Sequence, residues 1–145
     1  MKTFIALILT LAFVAGCTKQ APDKPVLVAD VIENIHAWDG QFVTVVGWLG
    51  TCEGYDCGLY STLADAKIVA MDSGSMAKWK AAMDRRVSLA FDRKFDQAAK
   101  PLQFQQVSIR AKISDECRGL MTGCTDRAPD IYPVSITPYS PKKVK

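Results

Sequence analysis

Two kinds of apolar pattern succeed one another along the chain. From Thr3 to Val14 (TFIALILTLAFV) the sequence carries no charge at all, an unbroken apolar run. From Val26 onward the pattern becomes periodic. Val28, Val31 or Ile32, and Ile35 recur at helical spacing and predict a helix over 28–36, closed by the turn pair Asp39-Gly40. QFVTVVGWLG (41–50) is rich in β-branched and aromatic residues and predicts a strand. Val43, Val45 and Leu49 fall on one of its faces and Phe42, Val46 and Trp48 on the other, so both faces are expected to be covered. Gly47 in its middle predicts a bulge or bend.

Further along, Cys52 to Cys57 brackets a turn that returns as GLYST (58–62), and DAKIVAM (65–71) reads as another short strand. Asp72-Ser73-Gly74-Ser75 offers helix caps. SMAKWKAAM (75–83) then predicts a short helix with Met76, Trp79 and Met83 on a core-facing side. RVSLAF (86–91) predicts a strand, and FDRKFDQAAKPLQ a polar connection with room for a helical turn. FQQVSIRAKIS (104–114) alternates most clearly, with Val107, Ile109, Ala111 and Ile113 inward and Ser108, Arg110 and Lys112 outward. DIYPVSIT (130–137) is a last strand, placed at an edge by Pro133 and Pro138. The expected fold is mainly β, with two short helices and six candidate strands.

The leading apolar run has a different meaning. A basic start (Met1-Lys2), an apolar segment and small residues (Ala15-Gly16) form the layout of a secretory signal. The uncharged stretch stops at Lys19, short of the roughly 20 apolar residues that a membrane-spanning helix needs. Val14-Ala15-Gly16-Cys17 resembles the lipobox of bacterial lipoproteins, in which an aliphatic residue, two small residues and a cysteine stand in succession. The resemblance implies cleavage between Gly16 and Cys17, a diacylglycerol on the Cys17 thiol, and often a further acyl group such as palmitate on the new amino terminus. One buried chain binds a membrane only marginally, whereas two or three hold it firmly. The competing expectation is an ordinary signal peptide whose cut happens to adjoin a cysteine. Residues 17–26 read as a flexible tether. Thr18, rather than Asp, after the cysteine implies the outer membrane facing the periplasm more than the inner membrane.

Without residues 1–16, 129 residues remain, enough for one domain, taken as 27–140 with a basic tail at 141–145. Lys2 leaves with the signal, so 17 basic side chains face 15 acidic ones. That balance, with no basic stripe, argues against nucleic acid as a partner. Export also fixes the meaning of the remaining cysteines, since paired cysteines outside the cytoplasm usually form disulfides. Four cysteines permit three connectivities, and proximity favours Cys52–Cys57 and Cys117–Cys124. A zinc site from all four is disfavoured because six residues separate Cys117 from Cys124.

No nucleophile, metalloprotease or phosphate-loop motif occurs, and His36 is the sole histidine. No catalytic residue, metal or cofactor is therefore expected. Asp115-Glu116 are read as solvating a turn, and Met71, Met76, Met83 and Met121 as packing rather than soft-metal ligands. The candidate ligand-binding residues are aromatic and basic: Trp48 and Tyr60 on strands, Tyr55 in the first cysteine loop, and Arg118 and Arg127 around the second.

The order of helix, strands, helix and further strands resembles the OB-fold, a five-stranded Greek-key barrel with a helix between its third and fourth strands. More narrowly, WDGQFVTVVGWLGTCEGYDCGLYS together with CTDRAPDIYPVSI is similar to uncharacterised OB-type bacterial lipoproteins. The resemblance implies an OB-like barrel of five or six strands, stapled by two local disulfides, in the bacterial cell envelope. Its expected work is non-catalytic binding of a protein partner or of an envelope polymer such as a glycan. The alternatives are an exported carboxylate-dependent hydrolase acting on envelope polymers, and a structural assembly factor.

Overall fold

The computed structural model describes residues 19–53, 56–71, 75–116 and 129–141. Its elements are β1 (Val26–Leu27), α1 (Val28–Asn34), β2 (Phe42–Glu53), β3 (Asp56–Tyr60), α2 (Leu63–Ala70), α3 (Met76–Asp84), β4 (Arg86–Ser88), α4 (Arg93–Ala99), a 3-10 turn (Lys100–Leu102), β5 (Gln106–Ile113) and β6 (Ile131–Pro138). They build a six-stranded sheet in the order β4-β3-β2-β5-β6 with antiparallel ladders, and β1 lies parallel beside β2. The ladders form an open path. Its two end strands meet at a single parallel bridge, Leu89 to Ile131, beside which the Ala90 amide donates to the Ile131 carbonyl at 2.9 Å. Among the described residues no helix is long and apolar enough to cross a membrane.

The alternating pattern of β5 is realised in full: Val107, Ile109, Ala111 and Ile113 are all buried. They face Val43, Val45 and Leu49 of β2, Leu59 of β3, Val87 of β4 and Ile131 of β6 in one core. Val28, Val31 and Ile35 of the first helical segment join it, as do Trp38 beyond that segment and Phe95 and Ala99 one turn apart on α4. Asp30 at the start of α1 reaches back to accept from the Leu27 amide at 2.9 Å, satisfying a helix-terminal donor. Gly40 ends the segment with φ 74°, a left-handed conformation that glycine adopts at no steric cost.

Gly47 marks a close approach. A Cβ there would lie 2.7 Å from Val28 Cγ2 and 2.9 Å from the Tyr60 carbonyl. The register of β2 against β5 runs unbroken through Gly47, and the irregularity falls between Leu49 and Cys52, against β3. The expected bulge is thus displaced along the same strand. Cys52 and Cys57 are register partners on β2 and β3 and are joined by a disulfide. Cys117 and Cys124 lie outside the described residues, as do the expected signal over residues 1–16 and Cys17.

Three expectations are corrected. The segment 65–71 is not a strand: Leu63–Ala70 is α2, started by Thr62, whose hydroxyl accepts from the Asp65 amide at 3.1 Å. The local cap outweighs the β-branched pair Ile68-Val69. Four α-helices therefore stand where two were expected, the fourth being α4 within the polar connection, capped by Asp92 on the Phe95 amide at 2.8 Å. On α3, Met76 is 77% exposed and Ala82 is the buried residue, so Met76 is not core.

The described part of the expected tether, from Lys19, also lies against the domain. Gln41 accepts from the Ala21 amide at 2.7 Å and donates to the Lys19 carbonyl at 3.2 Å, while Lys19 Nζ donates to Asn34 at 2.6 Å. Ala21 is buried, and Val26–Leu27 pair with Val45 and Val46.

Candidate functional site

Residues opposite one another in neighbouring strands share a sheet face. The register sets Gln106, Trp48, Tyr60 and Arg86 in one row across β5, β2, β3 and β4. Trp48 and Tyr60, both singled out from sequence, are therefore neighbours. Their situations differ. Tyr60 is 2% exposed; its ring lies over Gly50 and Gly58, where a Cβ would stand 2.6 Å and 3.1 Å from its Cε2. The side chain of Arg86 lies over the same ground, and Arg86 Nη1 donates to the Tyr60 hydroxyl at 3.3 Å and to Asp56 Oδ1 at 3.0 Å. Burial pushes the Tyr60 phenol above its ordinary pKa, against the pull of Arg86. Tyr60 thus offers no free ring face, while Trp48 is only half-buried. Tyr55, Arg118 and Arg127 lie outside the described residues.

The next polar group reinforces this closed corner. Asp65 on α2, only 4% exposed, receives Arg85 in a two-pronged contact, Nη2 to Oδ1 at 2.6 Å and Nε to Oδ2 at 3.2 Å. The guanidinium holds the Asp65 carboxyl below the usual carboxylate range, outweighing burial. Where the sheet's end strands meet, Asp130 accepts from the Ser88 amide at 2.8 Å, and the Asp130 amide bonds the Ser88 hydroxyl at 3.0 Å. These buried acids serve the fold and are not set out as an acid–base pair.

The other end of the outward face is open. Phe42, Lys112 and Tyr132 form one row across β2, β5 and β6, and Arg110 in the next row stands 5.6 Å from the centroid of the Phe42 ring. Phe42 is 51% and Tyr132 41% exposed, and among the described residues neither Arg110 nor Lys112 has a carboxylate partner. The acids nearby are engaged. Asp115 faces His36 Nδ1 at 3.1 Å, and Asp39 accepts from the Asp115 amide at 3.1 Å. Sequence reasoning expected the Phe42 face of its strand to be covered and Arg110 to face out, and did not single them out as a pair; at Phe42 the expected cover is missing, for its ring is half open to solvent. The signal was present in the alternation, which already put Arg110 and Lys112 outward.

No group of three or more His, Cys, Asp or Glu among the described residues could hold a metal ion. No protein-family model matches this chain, nor does any curated protein or solved structure. The open end presents exposed aromatic rings beside two cations.

Proposed function

We propose that the protein is a lipid-anchored component of the bacterial cell envelope whose OB-like domain binds a protein partner or an envelope polymer, such as a glycan, without catalysing a reaction. The observation that carries the anchor is the stretch Val14-Ala15-Gly16-Cys17 at the end of a charged-start, apolar run. An OB-like Greek-key barrel of β2 to β6 is supported by the strand order and by the parallel bridge between Leu89 and Ile131, where the path's two ends meet. The position of α4 between β4 and β5 agrees with the helix that such barrels carry between their third and fourth strands. A second local disulfide, Cys117–Cys124, belongs to the same reading.

Binding is favoured over hydrolysis because the buried carboxylates, Asp65 and Asp130, are committed to Arg85 and to Ser88. Trp48, half-buried at the far end of the outward face from Phe42, is the aromatic to which a partner would have access. Membrane fractionation tests the anchor: Cys17→Ser is expected to move the protein into the non-membrane fraction, and a mutant that still sediments with lipid overturns the reading. Trp48→Ala is expected to weaken partner capture by intact-envelope crosslinking while leaving the fold in place.

A further inference from the structure

One turn of the chain departs from the local preferences that the rest of the fold obeys. Leu102 to Gln105 is closed by the Gln105 amide, which donates to the Leu102 carbonyl at 3.1 Å. Its central residues are Gln103, with φ −55° and ψ 137°, and Phe104, with φ 60°. These angles are those of a type II turn, whose third position favours glycine. Phenylalanine there is strained, because a bulky side chain in the left-handed region is an outlier. Backbone bonds hold it in place: the Phe104 amide donates to the Leu49 carbonyl at 2.8 Å, and the Leu49 amide to the Gln105 carbonyl at 3.0 Å. Gln103 adds a second local cost, since its Nε2 is buried with no hydrogen-bond partner among the described residues.

The core does not compensate for these costs. Phe104 is half-buried, yet it does not pack against the core as Leu102 does, so its ring lies off the core. Trp48 is half-buried and off the core in the same way. Leu49, bonded to Phe104 and Gln105, directly follows Trp48, which brings the two aromatics to one end of β2. Gln106 stands opposite Trp48 in the ladder, so those two side chains share the outward face. The Gln106 amide makes no hydrogen bond among the described residues. From Trp48 onward β2, with β3, β4, the 3-10 turn and β5 as far as Ile109, carries Glu53, Asp56, Arg86 and Lys100, two charges of each sign. Arg86 is engaged by Asp56 and Tyr60. This end is aromatic and amide-bearing, with no dominant charge.

An uncharged sugar chain fits that chemistry. A pyranose ring presents an apolar C–H face that packs on an aromatic ring, with hydroxyls around its edge. A glutamine amide both donates and accepts, as a hydroxyl does. We propose that Trp48, Phe104 and Gln106 form a subsite for an uncharged glycan chain, the rings stacking on sugar faces and the Gln106 amide bonding hydroxyls. The strain at Phe104 persists because it presents the ring beside Trp48. The inference rests on the reading of a non-catalytic binding domain and names the class of ligand for it.

The test is isothermal titration calorimetry of the full chain, purified from cells in a zwitterionic detergent without a sugar headgroup. The probes are N-acetylchitohexaose and cellohexaose, with polygalacturonate as the charged control. At least one neutral probe is expected to bind more tightly than polygalacturonate. Trp48→Ala and Phe104→Gly are each expected to weaken that binding about tenfold or more, and Phe104→Tyr to keep it. Urea unfolding separates the site from the fold: Phe104→Gly is expected to unfold at the wild-type urea concentration or higher, because glycine suits the turn. A Phe104→Gly protein that binds normally, or that loses stability along with binding, overturns the proposal. Tighter binding of polygalacturonate overturns it by making the ligand anionic. If neither neutral probe binds while crosslinking in intact envelopes captures a protein that Trp48→Ala loses, the glycan assignment falls and the binding-domain reading stands. If that crosslinking captures nothing either, both fall.

Discussion

Two arginine–aromatic pairs sit on the same outward face of β2 and its neighbours and do opposite things. Arg86 lies across Tyr60 at one end, and Arg110 stands over Phe42 at the other. Tyr60 is buried because two glycines, Gly50 and Gly58, clear a bed for its ring and Asp56 holds the arginine above it. Phe42 has no such bed. It is opposed by Lys112 and stays half open to solvent. Aromatic-plus-arginine is therefore no mark of a binding site by itself. What decides is whether small residues across the strand let the ring lie down.

Truncating the two rings separates the ends most sharply. Tyr60→Ala is expected to cost about 3–5 kcal/mol of unfolding free energy in a urea titration, as for other buried aromatics. Phe42→Ala, on the exposed side, should cost no more than about 1 kcal/mol. Equal losses would break the distinction between a closed and an open end.

The closed end should also carry a pH signature. Arg85 depresses the folded-state pKa of Asp65, so its contribution is present above the ordinary aspartate pKa of about 4 and fades as pH falls below that value. Asp65→Asn is expected to cost about 1–2 kcal/mol at pH 7 and to flatten the loss of stability on acidification. A mutant with the wild-type acid profile would remove Asp65 from the account.

At the open end the effect is smaller and local. Gln41→Ala should change global stability by about 1 kcal/mol or less, yet speed tryptic cleavage after Lys19 relative to cleavage after Lys78. Unchanged cleavage would mean that the stretch from Lys19 is held by something other than Gln41.

Much of the sheet was legible in the sequence because its signals are local. The alternation of β5 and the β-branched run of β2 need no partner to be recognised, and both strands form where expected. The helix α2 was missed although Thr62-Leu63-Ala64-Asp65 carries a capping pattern, since the apolar stretch Ile68-Val69-Ala70 suits a strand equally well over so short a length. Met76 misled for a related reason: it shares its side of a nine-residue helix with the half-buried Trp79 and Met83, but as the first residue of the helix it is left exposed. The site was the least legible part. Trp48 and Tyr60 were both placed on strands, but that they are register neighbours was not foreseen, and the burial of Tyr60 depends on Gly50 of β2 and Gly58 of β3. The Gln41 clasp joins positions 20 and 22 residues apart through one side chain, and periodicity carries no trace of such a contact.

The central proposal, a lipid-anchored domain, depends first on the chemistry of Cys17. Tandem mass spectrometry of the amino-terminal peptide, from protein extracted from membranes with detergent, reads that chemistry directly. The account predicts a chain beginning at Cys17 and bearing a diacylglycerol on sulfur. An unmodified Cys17, or a chain still beginning at Met1, would contradict it.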